Sequence, residues 1–332
     1  MGTLPLPAAQ ILRPVLDMYM GSAVAVTGCH AEGMQRDSCE LDVLVIGPEK
    51  RQPTTARIGG VYMDLAFIDE KEALKPSSPE LAAALAHVKP IRDTTMVIST
   101  STAAAGAVYS ESCRKASSGR LAAAVKLLGR SAESVTRGSL READFWLLVA
   151  SYHYAYAWLY SDETLPAPSH LLRQLKEHSK DNPAYLGAFS RGTGLGKSSR
   201  PSCGTRLEAL SVLYDVVGSR QGVTPRNRPS LLPARLEVVR AKAIELLGAV
   251  ELAECYSYLG QEVAGGMLAL VGLTGREQVP SRSVGMGPIF EGEGRLLGDR
   301  LLRDLGLTRG KAAIEAGCQE LKDQVTSLAK RL

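Results

Sequence analysis

Two stretches decide the fold: Cys39-Glu40-Leu41-Asp42-Val43-Leu44-Val45-Ile46 and Val61-Tyr62-Met63-Asp64-Leu65-Ala66-Phe67-Ile68. Each is a short apolar run with β-branched residues, bounded by polar residues or glycine, and each reads as a strand. Side chains alternate along a strand, so Glu40 and Asp42, two apart, project from one face. A second strand pairing beside the first brings Asp64 onto that face. Three carboxylates gathered at one sheet edge repel each other unless a cation sits among them. Oxygen-only ligands favour Mg²⁺ (or Mn²⁺), which is held by a few carboxylates together with substrate phosphates.

Upstream, Ala23-Val24-Ala25-Val26-Thr27 reads as a further buried strand, followed by Gly28-Cys29-His30-Ala31-Glu32-Gly33. Two glycines five apart after a strand let the backbone approach a phosphate and point N–H groups at it. Residues 9–20 have helical apolar spacing, with Pro14 expected in the first turn or at a kink. Carboxylates with a phosphate-approaching loop suit phosphoryl or nucleotidyl transfer.

The order helix, strand, paired glycines, spacer, acid-x-Asp in a strand and a later strand Asp resembles the DNA polymerase β-like nucleotidyltransferase superfamily. Its minimal members include the kanamycin nucleotidyltransferase-like enzymes and the small nucleotidyltransferases of prokaryotic toxin–antitoxin systems. The resemblance covers about the first hundred residues: Gly28 and Gly33 match the glycines, Glu40 and Asp42 the metal-binding pair, and Asp64 the third carboxylate. Two positions depart from the pattern. Cys29 stands where the family has a serine that helps hold the triphosphate, and a thiol is the weaker hydrogen-bond partner. Glu40 replaces an aspartate, keeping the charge on an arm one methylene longer. The resemblance implies that Glu40, Asp42 and Asp64 hold the metal and are the catalytic residues, with Asp64 nearest the attacking hydroxyl. It implies that Gly28, Cys29 and Gly33 seat the phosphates of a nucleoside triphosphate. The acceptor stays open among a small molecule, an RNA end and a protein side chain. A non-catalytic nucleotide-binding regulator or antitoxin-like module is the alternative on the same fold.

Farther along, Ser78-Pro79-Glu80 marks a helix start, and 88–99 reads as one strand or two. From about 102 onward the pattern is helical. The fold class expected is α+β: a small mixed-sheet nucleotidyltransferase domain over 1–105, then a large α-helical domain over 106–332. Aromatics between Phe145 and Tyr160 fall at helical spacing and read as core. Around Pro166–Leu175 the chain weakly resembles HEPN-type helical domains. Arg173 and His178 sit in the wrong helix for the HEPN nuclease motif, and His170 reads as a capping or packing residue. Arg191-Gly192-Thr193-Gly194-Leu195-Gly196-Lys197-Ser198-Ser199 lacks the first glycine and the preceding strand of a phosphate loop and reads as a flexible basic loop. Residues 264–292 read as irregular after a helical start.

Charge divides unevenly, with 9 Lys and Arg against 12 Asp and Glu in 1–108 and 30 against 23 in the remainder. The helical half is mildly basic, which suits solvated helix faces more than a nucleic-acid surface. Six scattered cysteines form no Cys-x-x-Cys pair, arguing against zinc and a disulfide framework. No long uncharged apolar run and no secretory signal are visible, so no membrane association and a cytoplasmic location are expected.

Overall fold

Alternation of buried residues organises the N-terminal region of the computed structural model, which describes residues 6–48, 51, 53–180, 182–219, 233–277, 287–290 and 297–332. Its elements are α1 (Leu6–Met18), β1 (Ala23–Val26), α2 (Gly28–Glu32), β2 (Leu41–Ile46), β3 (Thr54–Ile58), β4 (Val61–Ile68), α3 (Glu70–Leu74), α4 (Pro79–Leu85), β5 (Lys89–Arg92) and α5 (Val97–Ala107). The strands form one mixed sheet in the order β3-β4-β2-β1-β5, in which β2 and β4 run parallel and the other neighbours antiparallel.

Both faces of the sheet are covered. Ala23, Ala25, Leu44 and Ile46 pack with Leu85, Val97 and Ile98 on one side, whereas Val24, Val26, Val43 and Val45 pack with Leu12 and Val15 of α1 on the other. That explains why β1 and β2 read as continuous apolar runs rather than as alternating ones. Pro14 falls inside α1 rather than in its first turn. Gly59 and Gly60, at φ +59° and +88°, make the tight β3–β4 hairpin.

Only part of the 88–99 segment is a strand. From Val97 the chain is helical. Asp93 caps α5 by accepting from the Ile98 amide at 2.9 Å and from the Ser99 amide at 2.8 Å. A carboxylate that satisfies the first free amides of a helix in this way favours its formation. This side-chain cap overrides the β preference of Val97 and Ile98.

The remaining elements are α6 (Tyr109–Thr136), α7 (Leu140–Ser161), a 3₁₀ turn (Pro168–His170), α8 (Leu171–His178), α9 (Pro183–Thr193), a second 3₁₀ turn (Leu195–Lys197), α10 (Arg200–Gly218), α11 (Pro233–Gly248), α12 (Leu252–Glu277), α13 (Gly287–Phe290), α14 (Asp299–Asp304) and α15 (Lys311–Ala329). The class is α+β, a small mixed sheet followed by a large helical region. The chain divides into two compact units: Met1–Lys115 with Thr224–Val238, and Ala116–Val223 with Val239–Leu332.

In the second unit α7 is the central helix, packed by α8, α9, α12 and α15. Its Phe145, Tyr154 and Trp158 are fully buried, and Tyr154 and Trp158 meet Tyr185 of α9 edge-on at 6.2 and 5.2 Å. The aromatics of this helix thus build core. Asp144 of α7 accepts from the Arg309 side chain at 2.5 Å and from its backbone N–H at 2.8 Å. A buried carboxylate is tolerated when it is paired and hydrogen-bonded in this manner. His170 is buried, and His178 meets Asp162 and Thr164.

The 191–199 segment is not a loop throughout. Arg191, Gly192 and Thr193 close α9, Gly194 caps it in the left-handed region, and Lys197 Nζ donates to Thr308 Oγ1 at 2.7 Å. Likewise α12 runs on to Glu277, where irregular chain was expected; residues 278–286 and 291–292 of that stretch lie outside the described residues. Among the described residues no helix is long and apolar enough to cross a membrane.

Candidate active site

Parallel pairing of β2 and β4 sets Asp42 directly opposite Asp64. Antiparallel pairing of β3 with β4 then sets Thr55 opposite Asp64, and the Thr55 hydroxyl donates to Asp64 Oδ1 at 2.5 Å. On the other side the Thr27 amide donates to the Asp42 carbonyl at 2.9 Å. One row across the sheet therefore carries Thr55, Asp64, Asp42 and Thr27 in spatial order. Register produces this row, and a slip of one residue between β2 and β4 would leave the two acids on opposite faces of the sheet.

Glu40 joins them from the residue just before β2 rather than from within the strand. It is 7% exposed. One carboxylate oxygen from each of Glu40, Asp42 and Asp64 lies within 4.8 Å of the other two. The structure thus brings together the three acids singled out in the sequence.

The glycines act differently from each other. Gly28 has φ +63°, and a Cβ on it would collide with Asp42 Oδ2 and stand 2.9 Å from Asp42 Cγ. Its missing side chain is what gives the Asp42 carboxylate room beside α2. Gly33, at φ +71°, ends α2, and no heavy atom lies within 4 Å of where its Cβ would be. Cys29 is buried in α2, its sulfur within 4.8 Å of that of Cys39.

A pocket of about 320 Å³ opens on the acidic row, walled by Thr27, Asp42, Thr54, Thr55, Asp64 and Arg235 among others. This falls within the range of small-molecule sites. Arg235, in the first turn of α11, is a member of the site that the sequence pattern does not single out. Its Nη1 donates to Glu40 Oε1 at 3.0 Å and to Asp64 Oδ2 at 3.1 Å, with only 14% of the side chain exposed. Two residues on, Glu237 Oε2 accepts from the Tyr62 hydroxyl at 2.5 Å, which with some burial pushes the phenol above its ordinary range. No local signal marks Arg235, because its partners lie 195 and 171 positions away in the chain.

Chemically the donor set is uniform: three hard oxygens, with nitrogen and sulfur absent from the cluster. It fits a hard divalent cation. With all four groups ionised, the cluster of three carboxylates and one guanidinium is net negative.

No family model and no curated protein matches the chain. Among solved structures it is similar to a nucleotidyltransferase-like protein from Exiguobacterium sibiricum 255-15, at 14% identity and a TM-score of 0.35, over 90% of this chain and 88% of that one. A likeness so distant carries no functional argument.

Proposed function

We propose that this chain is a metal-dependent nucleotidyltransferase that moves a nucleoside monophosphate from a triphosphate to a hydroxyl acceptor. The observation that carries the proposal is the cross-strand row in which Asp42 faces Asp64 on the wall of the pocket, with a Glu40 oxygen within 4.8 Å of both. Placing repelling carboxylates at a parallel strand pair costs stability, and a site for a divalent ion gives that cost a purpose.

Glu40, Asp42 and Asp64 would hold Mg²⁺ or Mn²⁺. When bound, the ion supplies positive charge against the phosphate oxygens and the departing pyrophosphate. The Thr55 hydroxyl fixes Asp64 by its Oδ1, while Oδ2 accepts from Arg235 Nη1, so Asp64 would take the acceptor's proton only after that guanidinium has moved away. Gly28 holds the backbone close to Asp42, and by the family resemblance Gly28, Cys29 and Gly33 would seat the triphosphate.

A second reading, a nucleotide-binding regulator that transfers nothing, is favoured by Arg235 standing on two of the three acids. Label transfer separates the two. The protein is incubated with each α-labelled triphosphate, Mg²⁺ or Mn²⁺, and RNA, protein or a metabolite extract. Transfer that disappears in Asp42→Asn and Asp64→Asn supports the enzyme, and the labelled species reveals the acceptor class. Full transfer in either variant would remove the carboxylates from the chemistry, and none under any condition favours the regulator.

A further inference from the structure

Arg235 bonds to two of the three acids that would hold a cation, and this points to a role beyond packing. Its Nη1 bonds to one oxygen of Glu40 and one of Asp64 at ordinary hydrogen-bond lengths, in a setting that is mostly shielded from water. Hydrogen bonds between ionised partners are the strong ones. The arginine is also held from nearby. The Tyr62–Glu237 hydrogen bond ties the first turn of α11 to β4, two residues from Asp64 on the same strand face. Arg235 further belongs to the wall of the 320 Å³ pocket, so a guanidinium released from the acids remains beside the space a triphosphate would fill.

We infer that Arg235 is an internal counter-ion of the acidic cluster, displaced when metal and triphosphate enter together and then paired with the phosphates. The inference rests on the metal-dependent reading above. A guanidinium and a divalent ion drawn to the same two carboxylates, Glu40 and Asp64, compete for them. Metal alone must therefore displace a charge-assisted hydrogen-bond pair and leave an arginine without its carboxylates. Triphosphate removes that penalty, because planar guanidinium groups bind phosphate oxygens in pairs. Arg235 thus makes metal occupancy depend on nucleotide: the guanidinium offsets the acids of the apoprotein, and the ion binds well only with its substrate. It is a positioning residue rather than a catalytic one.

The test is Mn²⁺ binding to the full chain followed by electron paramagnetic resonance, with and without a non-hydrolysable triphosphate analogue. Without nucleotide, Arg235→Gln should bind Mn²⁺ about tenfold or more tightly than the natural protein, since a competing charge pair is removed. Tyr62→Phe, which loosens the tie on α11 and touches no carboxylate of the cluster, should shift affinity the same way by a smaller factor. It also keeps the inference testable if Arg235→Gln folds poorly. The analogue should raise Mn²⁺ affinity by a larger factor in the natural protein than in Arg235→Gln. Equal Mn²⁺ affinity in the natural protein and Arg235→Gln overturns the inference, as does an equal gain from the analogue in both. Asp42→Asn separates the two claims. If the natural protein binds Mn²⁺ and Asp42→Asn does not, the carboxylate site stands and only the role of Arg235 is at stake. If no protein binds Mn²⁺ with or without the analogue, both fall.

Discussion

Gly28→Ala is the substitution whose effect can be worked furthest from the structure. Gly28 has φ +63°. A residue with a Cβ in this left-handed region costs about 1–2 kcal/mol. The new methyl would also run into Asp42 Oδ2, with Asp42 Cγ at 2.9 Å and Cβ at 3.3 Å. Turning Asp42 out of the way forces it off its rotamer, adding about 0.5–1.5 kcal/mol. The total expected loss is about 1.5–3.5 kcal/mol. Gly33→Ala is the matched control, because Gly33 has φ +71° and nothing within 4 Å of the added Cβ, so it carries the backbone cost alone. Urea unfolding of the two variants, each beside the natural protein, should show Gly28→Ala less stable than Gly33→Ala by about 1 kcal/mol. Mn²⁺ binding in the presence of a non-hydrolysable triphosphate analogue should be lost in Gly28→Ala. Equal destabilisation, with Mn²⁺ affinity unchanged in Gly28→Ala, would refute the claim that this glycine exists to accommodate Asp42.

Thr55→Val keeps the shape of the side chain but removes the donor to Asp64. Transfer should slow while stability falls by about 1 kcal/mol, and an unchanged rate would remove Thr55 from the site. Asp93→Ala uncaps α5. Its expected cost in urea unfolding is about 1 kcal/mol. Burial raises the Asp93 pKa, but hydrogen bonds from the Ser99 hydroxyl and the amides of Ile98, Ser99 and Val97 outweigh it and hold the carboxyl below its ordinary range. Its contribution is therefore complete above the unfolded-state pKa and disappears as pH falls through the lower folded-state value. The acid limb of the stability curve should flatten in Asp93→Asn, and an unchanged limb would contradict this. Asp144→Ala takes the carboxylate from the Arg309 guanidinium in the helical unit and leaves it the backbone carbonyls of Arg191, Gly192 and residue 144 as acceptors. The expected cost is about 3 kcal/mol, the low end for a broken buried pair, and a loss under about 1 kcal/mol would show that the pair is dispensable.

How much of this is legible in the sequence depends on the range of the interaction concerned. The strands around Asp42 and Asp64 are readable because β-branched runs and period-two geometry are local, and so is the shared face of the acids. Glu40 belongs to the cluster as expected but stands just outside β2. Strand β3, Thr54–Ile58, escapes the sequence reading, although Thr54-Thr55-Ala56-Arg57-Ile58 ahead of Gly59-Gly60 is a hairpin signal. With it goes Thr55. The misreading at 96–99 arises because Val97 and Ile98 favour strands, whereas the Asp93 side chain, reaching five and six residues forward, satisfies first-turn amides of a helix that runs on to Ala107. Arg235 is beyond reach altogether: periodicity identifies a helix and its apolar face but not which distant strand end one of its arginines will meet.

The most direct test of the central claim is a crystal of the protein grown with Mn²⁺ and a non-hydrolysable triphosphate, measured for Mn anomalous scattering. The account predicts an anomalous peak bounded by carboxylate oxygens of Glu40, Asp42 and Asp64, with the phosphates beside it. A triphosphate bound elsewhere, or bound here with no anomalous peak among these three acids, would contradict it.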